Sequence, residues 1–197
     1  MEQMFIMKRI LVPFTNHTED MEMVILTDIL ARAGCEIIRA SITTDPVVLQ
    51  YGTRVLPDRS FAEIREDDFD LIAIPGGWNG VQVLDKDPDL NFILQRFKSK
   101  NLTIAAICSA PNLLRRHGFF EKMEPFTAHP DSLDFAKGGT PKTESSVVET
   151  NSLITGRSAG HTVDWALALV ERLFGKEKRL EVYKSLAYVN KESLPVE

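Results

Sequence analysis

Short apolar runs alternate with helical patterns along most of this chain, and that alternation limits the fold more than any other feature. Arg9–Phe14, Glu36–Ile42, Asp70–Pro75 and Leu102–Ile107 read as buried strands. Between them, Asn16 to Ala33 carries Met21, Val24, Ile25, Ile29 and Leu30 at helical spacing, with Gly34 where a helix ends. Asp87 caps a second long helix that has Pro88 at its first position and runs toward Lys100. Strands that alternate with helices form βαβ units, and βαβ units give a parallel sheet covered on both faces. The expected fold is α/β, a flavodoxin-like doubly wound three-layer sandwich around a mostly parallel central sheet.

The remaining segments fit one domain over residues 1–197, with residues 1–8 as an N-terminal extension and 190–197 as a flexible tail. Val47–Leu56 reads as an extended excursion turning at Tyr51-Gly52, and Ser60-Phe-Ala-Glu63 as a capping box on a short helix. Gly76-Gly-Trp-Asn-Gly80 reads as a glycine-rich loop. Extended pieces are expected near Pro125–Ala128, Ser146–Glu149 and Leu153–Gly156. A strongly apolar helix follows over Thr162–Phe174, Gly175 breaks it, and an amphipathic helix covers Lys176–Val189.

The turn after the fourth strand carries the chemistry. Six residues, Leu102 to Ile107, lead into Cys108, and Ser109-Ala-Pro-Asn-Leu-Leu-Arg-Arg116 reads as a helix start. Cys108 thus falls on a strand-to-helix elbow that pushes its side chain outward. The unpartnered amides of a helix start favour a thiolate, so a lowered thiol pKa is expected. A small buried cysteine is the plain alternative, but ligands of open α/β sheets gather at strand carboxyl ends.

Three other features converge on that end. In Thr18-Glu-Asp-Met-Glu22, Glu19 and Asp20 suit the helix dipole, while Glu22, close to Met21 and Val24, reads equally as another such acid or as one turned inward or along the crevice, where it would share a proton with the thiol. Gly76-Gly77 follows a buried strand, so the Gly77 and Ser109 N–H groups are candidate oxyanion donors. His129 follows an extended piece in Phe126-Thr-Ala-His-Pro130 and reads equally as a loop histidine. The glycines lack the dinucleotide pattern, and no residue set has metal-ligand spacing. No cofactor or metal is expected.

Composition narrows the partners. The net charge is −5 with no long basic run, which argues against nucleic acid. No apolar run reaches membrane-spanning length, and the acid-first N-terminus is unlike a secretory signal. Two cysteines cannot build a disulfide framework, which suits the cytoplasm.

Four motifs in order, Glu19-Asp-Met-Glu22, Ile74-Pro-Gly-Gly77, Ala105-Ala-Ile-Cys108-Ser-Ala-Pro111 and Ala128-His-Pro130, resemble the DJ-1/ThiJ/PfpI superfamily, nearest its deglycase and YajL-like branch. The likeness runs from about Arg9 to Val189 and includes Arg157-Ser-Ala-Gly-His-Thr162. It implies Cys108 as nucleophile, Glu22 as the buried acid beside it, His129 in the same pocket and Gly77 and Ser109 as backbone donors. It further implies a homodimer and a cofactor-free activity on small α-oxoaldehydes, of glutathione-independent glyoxalase or deglycase type. The alternative is a redox-sensing or chaperone-like stress protein in which an oxidant takes Cys108 to sulfinate. Ser109 directly after the cysteine departs from the peptidase branch, and Pro130 after His129 departs from glutamine amidotransferases. Trp78 and Ser158-Ala159 replace residues common in the branch and are expected to reshape the pocket wall. The apolar surplus of the first helix, Met21, Met23, Leu26 and Ile29, fits a two-fold interface.

Overall fold

The structure is a computed structural model that describes residues 7–133 and 138–187. The 1–6 part of the expected extension, the expected 190–197 tail and the end of the last expected helix lie outside the described residues.

The strands are β1 (Arg9–Pro13), β2 (Glu36–Ser41), β3 (Val47–Val48), β4 (Arg54–Val55), β5 (Arg59–Ser60), β6 (Leu71–Ile74) and β7 (Thr103–Ile107). They continue with β8 (Pro125–Phe126), β9 (Thr140–Pro141), β10 (Val147–Glu149) and β11 (Leu153–Gly156). The helices are α1 (Asp20–Arg32), α2 (Phe61–Ile64), α3 (Trp78–Leu84), α4 (Pro88–Ser99), α5 (Pro111–Arg116), α6 (Thr162–Phe174) and α7 (Lys176–Ser185).

Seven strands form one sheet in the order β10-β11-β7-β6-β1-β2-β5, parallel throughout except for β10 against β11. Side chains of the central strands alternate between two cores, because successive residues of a strand face opposite ways. Leu11, Ile72, Ile74, Ile104 and Ala106 pack on α2 to α5, through Phe61, Val81, Leu94 and Leu113. Ile10, Val12, Leu71, Ala73, Ala105 and Ile107 pack on α1, α6 and α7, through Leu26, Trp165 and Val182. This is the three-layer α/β sandwich expected from the alternation. Trp165 is fully buried, and its indole N–H donates to the Ile154 carbonyl at 3.2 Å.

Several local expectations hold. The Ser60–Glu63 capping box is formed in both directions and Asp87 accepts from the Leu90 N–H, contacts worth roughly 1 kcal/mol each. Val47–Val48 and Arg54–Val55 pair as a hairpin around Tyr51-Gly52.

Others are corrected. The first helix begins at Asp20 and not near Asn16, because Glu19 is the cap and accepts from the Glu22 N–H. Its buried face is Glu22, Met23, Leu26, Ile29 and Leu30, whereas Met21 and Val24 are each 50% exposed. Three of the four residues assigned to a surplus apolar face are therefore core. The glycine-rich loop is in part α3, with Gly80 buried inside it. The helix after Cys108 starts at Pro111 instead of Ser109, since residues 108–110 are needed to complete the turn.

The strand order changes direction at β1, which lies between β2 and β6. Ligand crevices in open α/β sheets form at such a point, outside the strand carboxyl ends. The start of α1, the turn after β6 and the turn after β7 all open there.

Candidate active site

Cys108 adopts φ +63°, a backbone conformation uncommon for a residue with a Cβ and typical of functional turns. The surrounding backbone fixes this turn. The Cys108 N–H donates to Gly156 O at 3.0 Å, and the Cys108 carbonyl accepts the His129 N–H at 2.9 Å. The Ser109 and Gly77 N–H groups are directed at Sγ and favour the thiolate.

Glu22 reaches the same sulfur from α1. It is fully buried, one carboxyl oxygen accepts the Gly76 N–H at 2.6 Å, and Oε1 has no nitrogen or oxygen donor among the described residues. Burial raises its pKa to about 7, against the pull of the Gly76 N–H and the Cys108 thiol. The thiol is pushed well above its ordinary value by burial first, and then by the charge and hydrogen bond of Glu22. The expected lowering is therefore corrected: burial and then the Glu22 carboxylate outweigh the Ser109 and Gly77 amides, and α5 itself begins only at Pro111. Two groups this close titrate as a pair. The first proton leaves near pH 7, and what remains is either a carboxylate with a thiol or a carboxyl with a thiolate.

Glycine is required at two places here. A Cβ on Gly76 would lie 2.7 Å from Cys108 Cβ and 2.8 Å from Glu22 Oε2. Gly77 has φ +93°, and a Cβ there would collide with the His17 carbonyl.

These groups open into a cavity of about 530 Å³. Glu22, Gly77, Trp78, Cys108, Ser109 and His129 line it. Ser158 and Ala159 line it as well, so every residue singled out from the sequence is at one cavity. His129 accepts the Asp131 N–H on Nδ1 at 3.2 Å, so a neutral ring carries its proton on Nε2.

Further lining residues escaped the sequence reading: Glu19, Gln50, Tyr51, Asp131, Ser132 and Gly160. Gln50 and Tyr51 arrive from a hairpin whose sequence contains no motif. One signal was present in Asp20, to which the dipole role was assigned. Its carboxylate instead accepts the Tyr51 N–H at 2.8 Å and the Thr53 N–H at 3.0 Å, tying the hairpin to the start of α1. Burial would raise the Asp20 pKa, but the Thr53 hydroxyl and these amides hold it low. His117 serves elsewhere, paired with Asp85 at 2.9 Å, whereas His161 Nδ1 meets Oγ of the lining residue Ser158 at 3.1 Å. Among the described residues no group of histidine, cysteine and acidic side chains could hold a metal ion.

Comparison with known proteins gives a consistent outcome. The model of the DJ-1/PfpI family matches residues 8–172. Protein dj-1beta of Drosophila melanogaster is 33% identical over 181 residues, covering 91% of this chain and 96% of that protein. The glutathione-independent glyoxalase DJR-1.2 of Caenorhabditis elegans is 32% identical over 169 residues, covering 85% of this chain and 89% of that protein. The crystal structure of Drosophila DJ-1beta superposes with a TM-score of 0.86 at 32% identity, covering 94% of this chain and all of that one. With the fold, the elbow and the sequence in agreement, the chain belongs to the DJ-1/PfpI family.

Proposed function

We propose that this protein is a cysteine-dependent, cofactor-free enzyme that converts small α-oxoaldehydes to 2-hydroxy acids. The observation that carries the reading is Glu22, a buried carboxyl with a pKa of about 7 beside Cys108 Sγ. A group that titrates near working pH can both give and take a proton in one cycle. The relative from Caenorhabditis elegans is named a glutathione-independent glyoxalase, which supports the same chemistry.

In this reading the Cys108 thiolate attacks the aldehyde carbon, and the carboxyl of Glu22 protonates the resulting alkoxide to give a hemithioacetal. The Glu22 carboxylate then removes the hydrogen left on that carbon as the neighbouring ketone oxygen takes a proton, with His129 Nε2 assisting, giving an enediol. Glu22 then returns its proton to the second carbon while the hydroxyl on the sulfur-bearing carbon gives its proton back to His129, leaving a thioester and an alcohol. One carbon is oxidised and its neighbour reduced, so no external redox partner is needed. Water cleaves the thioester, releasing the hydroxy acid and the thiolate. The Gly77 and Ser109 N–H groups stabilise the oxyanion of the addition steps.

The same proposal has the protein in the cytoplasm, where its two cysteines stay reduced, and pairs it as an isologous homodimer through the exposed Met21 and Val24. The test of activity is lactate formation from methylglyoxal by the purified protein and by Cys108→Ser. Loss of roughly a hundredfold or more in the variant supports the mechanism. No lactate from the intact protein, with oxidation of Cys108 to sulfinate by peroxide, favours the redox-sensing alternative.

A further inference from the structure

The mouth of the cavity has a charge pattern that the reaction does not require. Asp131 lines it at the surface, Glu19 lies deeper, 8% exposed with its carboxylate accepting the Glu22 N–H at 2.7 Å, and the described lining includes no lysine or arginine. Among the described residues Ser109 Oγ is buried without a hydrogen-bond partner, and Glu22 Oε1 has no nitrogen or oxygen donor. The lining thus offers carboxylates and a free hydroxyl and no cationic side chain. Two accessible aromatic side chains also belong to the lining, Trp78 at 46% exposure and Tyr51 at 76%. Tyr51 is anchored: besides the two amides held by Asp20, the neighbouring Gln50 N–H donates to Thr18 O at 2.9 Å. Trp78 is the first residue of α3, directly after Gly77. Accessible aromatic faces next to carboxylates are a favourable setting for an organic cation.

We propose that this mouth is a subsite for a positively charged group, an ammonium or guanidinium, carried beside the reacting carbonyl, with Glu19, Asp131, Trp78 and Tyr51 setting that preference. Carbonyl compounds bearing a carboxylate are disfavoured by the same charges. The inference rests on the reading of Cys108 as the reacting thiol and requires no turnover.

The experiment compares the rates at which Cys108 is modified by two methanethiosulfonates of similar size, one ending in trimethylammonium and one in sulfonate. Each rate is divided by that reagent's rate with 2-mercaptoethanol. At low ionic strength the corrected ratio of cationic to anionic reagent is expected to be about tenfold or more, and to collapse in roughly 1 M salt. Asp131→Asn and Glu19→Gln, the latter keeping an acceptor for the Glu22 N–H, are each expected to lower the ratio, and together by about threefold or more. Trp78→Asn should slow the cationic reagent alone. A corrected ratio near one, or a ratio unmoved by salt and by these substitutions, overturns the subsite. Failure of Cys108 to react with either reagent overturns both the subsite and the reactive thiol. Lack of lactate formation alongside a retained ratio overturns only the glyoxalase reading.

Discussion

The carboxyl of Glu22 accepts the Gly76 N–H at 2.6 Å, joining two turns 54 residues apart at the sulfur of Cys108. That bond fixes one oxygen of the acid, and Oε1 has no nitrogen or oxygen donor among the described residues. The acid is thereby oriented without being neutralised, which suits a group that must exchange protons.

Replacing Glu22 by Gln is expected to give a stability difference that depends on pH. The carboxyl has a pKa of about 7 in the fold against an ordinary 4.5, so the folded state favours its protonated form. Its stabilising contribution is fully present below pH 4.5 and is lost as pH rises through 7. Glutamine resembles the protonated acid at every pH. Urea unfolding should therefore show Glu22→Gln gaining on the parent as pH rises, by on the order of 2–3 kcal/mol at alkaline pH. A difference that stays constant from acid to alkaline pH would refute this assignment of the pKa.

Cys108 is expected to be alkylated before Cys35. Burial first, and the charge of Asp70 second, push the Cys35 thiol up to about 12, and the Asp70 carboxylate is itself held by Lys8 Nζ and the Arg9 N–H. At Cys108 the proton can pass to Glu22, so labelling by iodoacetamide should rise through pH 7 with the pair's first ionisation. In Glu22→Gln that inflection should disappear. Mass spectrometry of samples labelled with substoichiometric reagent reads both outcomes, and dominant modification of Cys35 would contradict the site.

Gly76→Ala tests the close approach of the three turns. The added carbon would press on Cys108 Cβ and Glu22 Oε2, and crowding of this kind costs about 1–3 kcal/mol. Denaturant unfolding should show that loss, together with slower alkylation of Cys108 as Glu22 is displaced. Unchanged stability and labelling would mean that the contact relaxes freely.

In the homodimer reading, sedimentation equilibrium at low micromolar concentration should return about twice the chain mass of 22.2 kDa. Met21→Glu and Val24→Glu together should shift the mass toward one chain, because they place charge on the half-exposed face of α1. A monomer in the parent protein would remove the proposal.

Periodicity alone determined the layers and the central strands. The runs at Arg9, Glu36, Asp70 and Leu102 are too short and too apolar to be anything but buried strands between amphipathic helices, and local chemistry marked the caps at Ser60 and Asp87. It also placed Cys108 on its elbow, because the apolar strand ends at Ile107, although the turn takes residues 108–110 and the helix starts only at Pro111. The inward direction of Glu22 was legible, but for the wrong neighbours. It shares the buried face of α1 with Leu26 and Ile29, whereas Met21 and Val24, counted in the apolar pattern of that helix, are each 50% exposed.

Only the tertiary structure decided the charge state of the site and the shape of its mouth. Whether Cys108 is raised or lowered depends on burial and on the distance to a carboxyl 86 residues earlier in the sequence (108 − 22), and no local pattern encodes either. Tyr51 and Gln50 reach the cavity because Asp20 clamps a hairpin whose own sequence carries no sign of function. Spacing along a chain fixes which side of an element faces inward. Desolvation and the meeting of distant turns arise only when the whole sheet has closed.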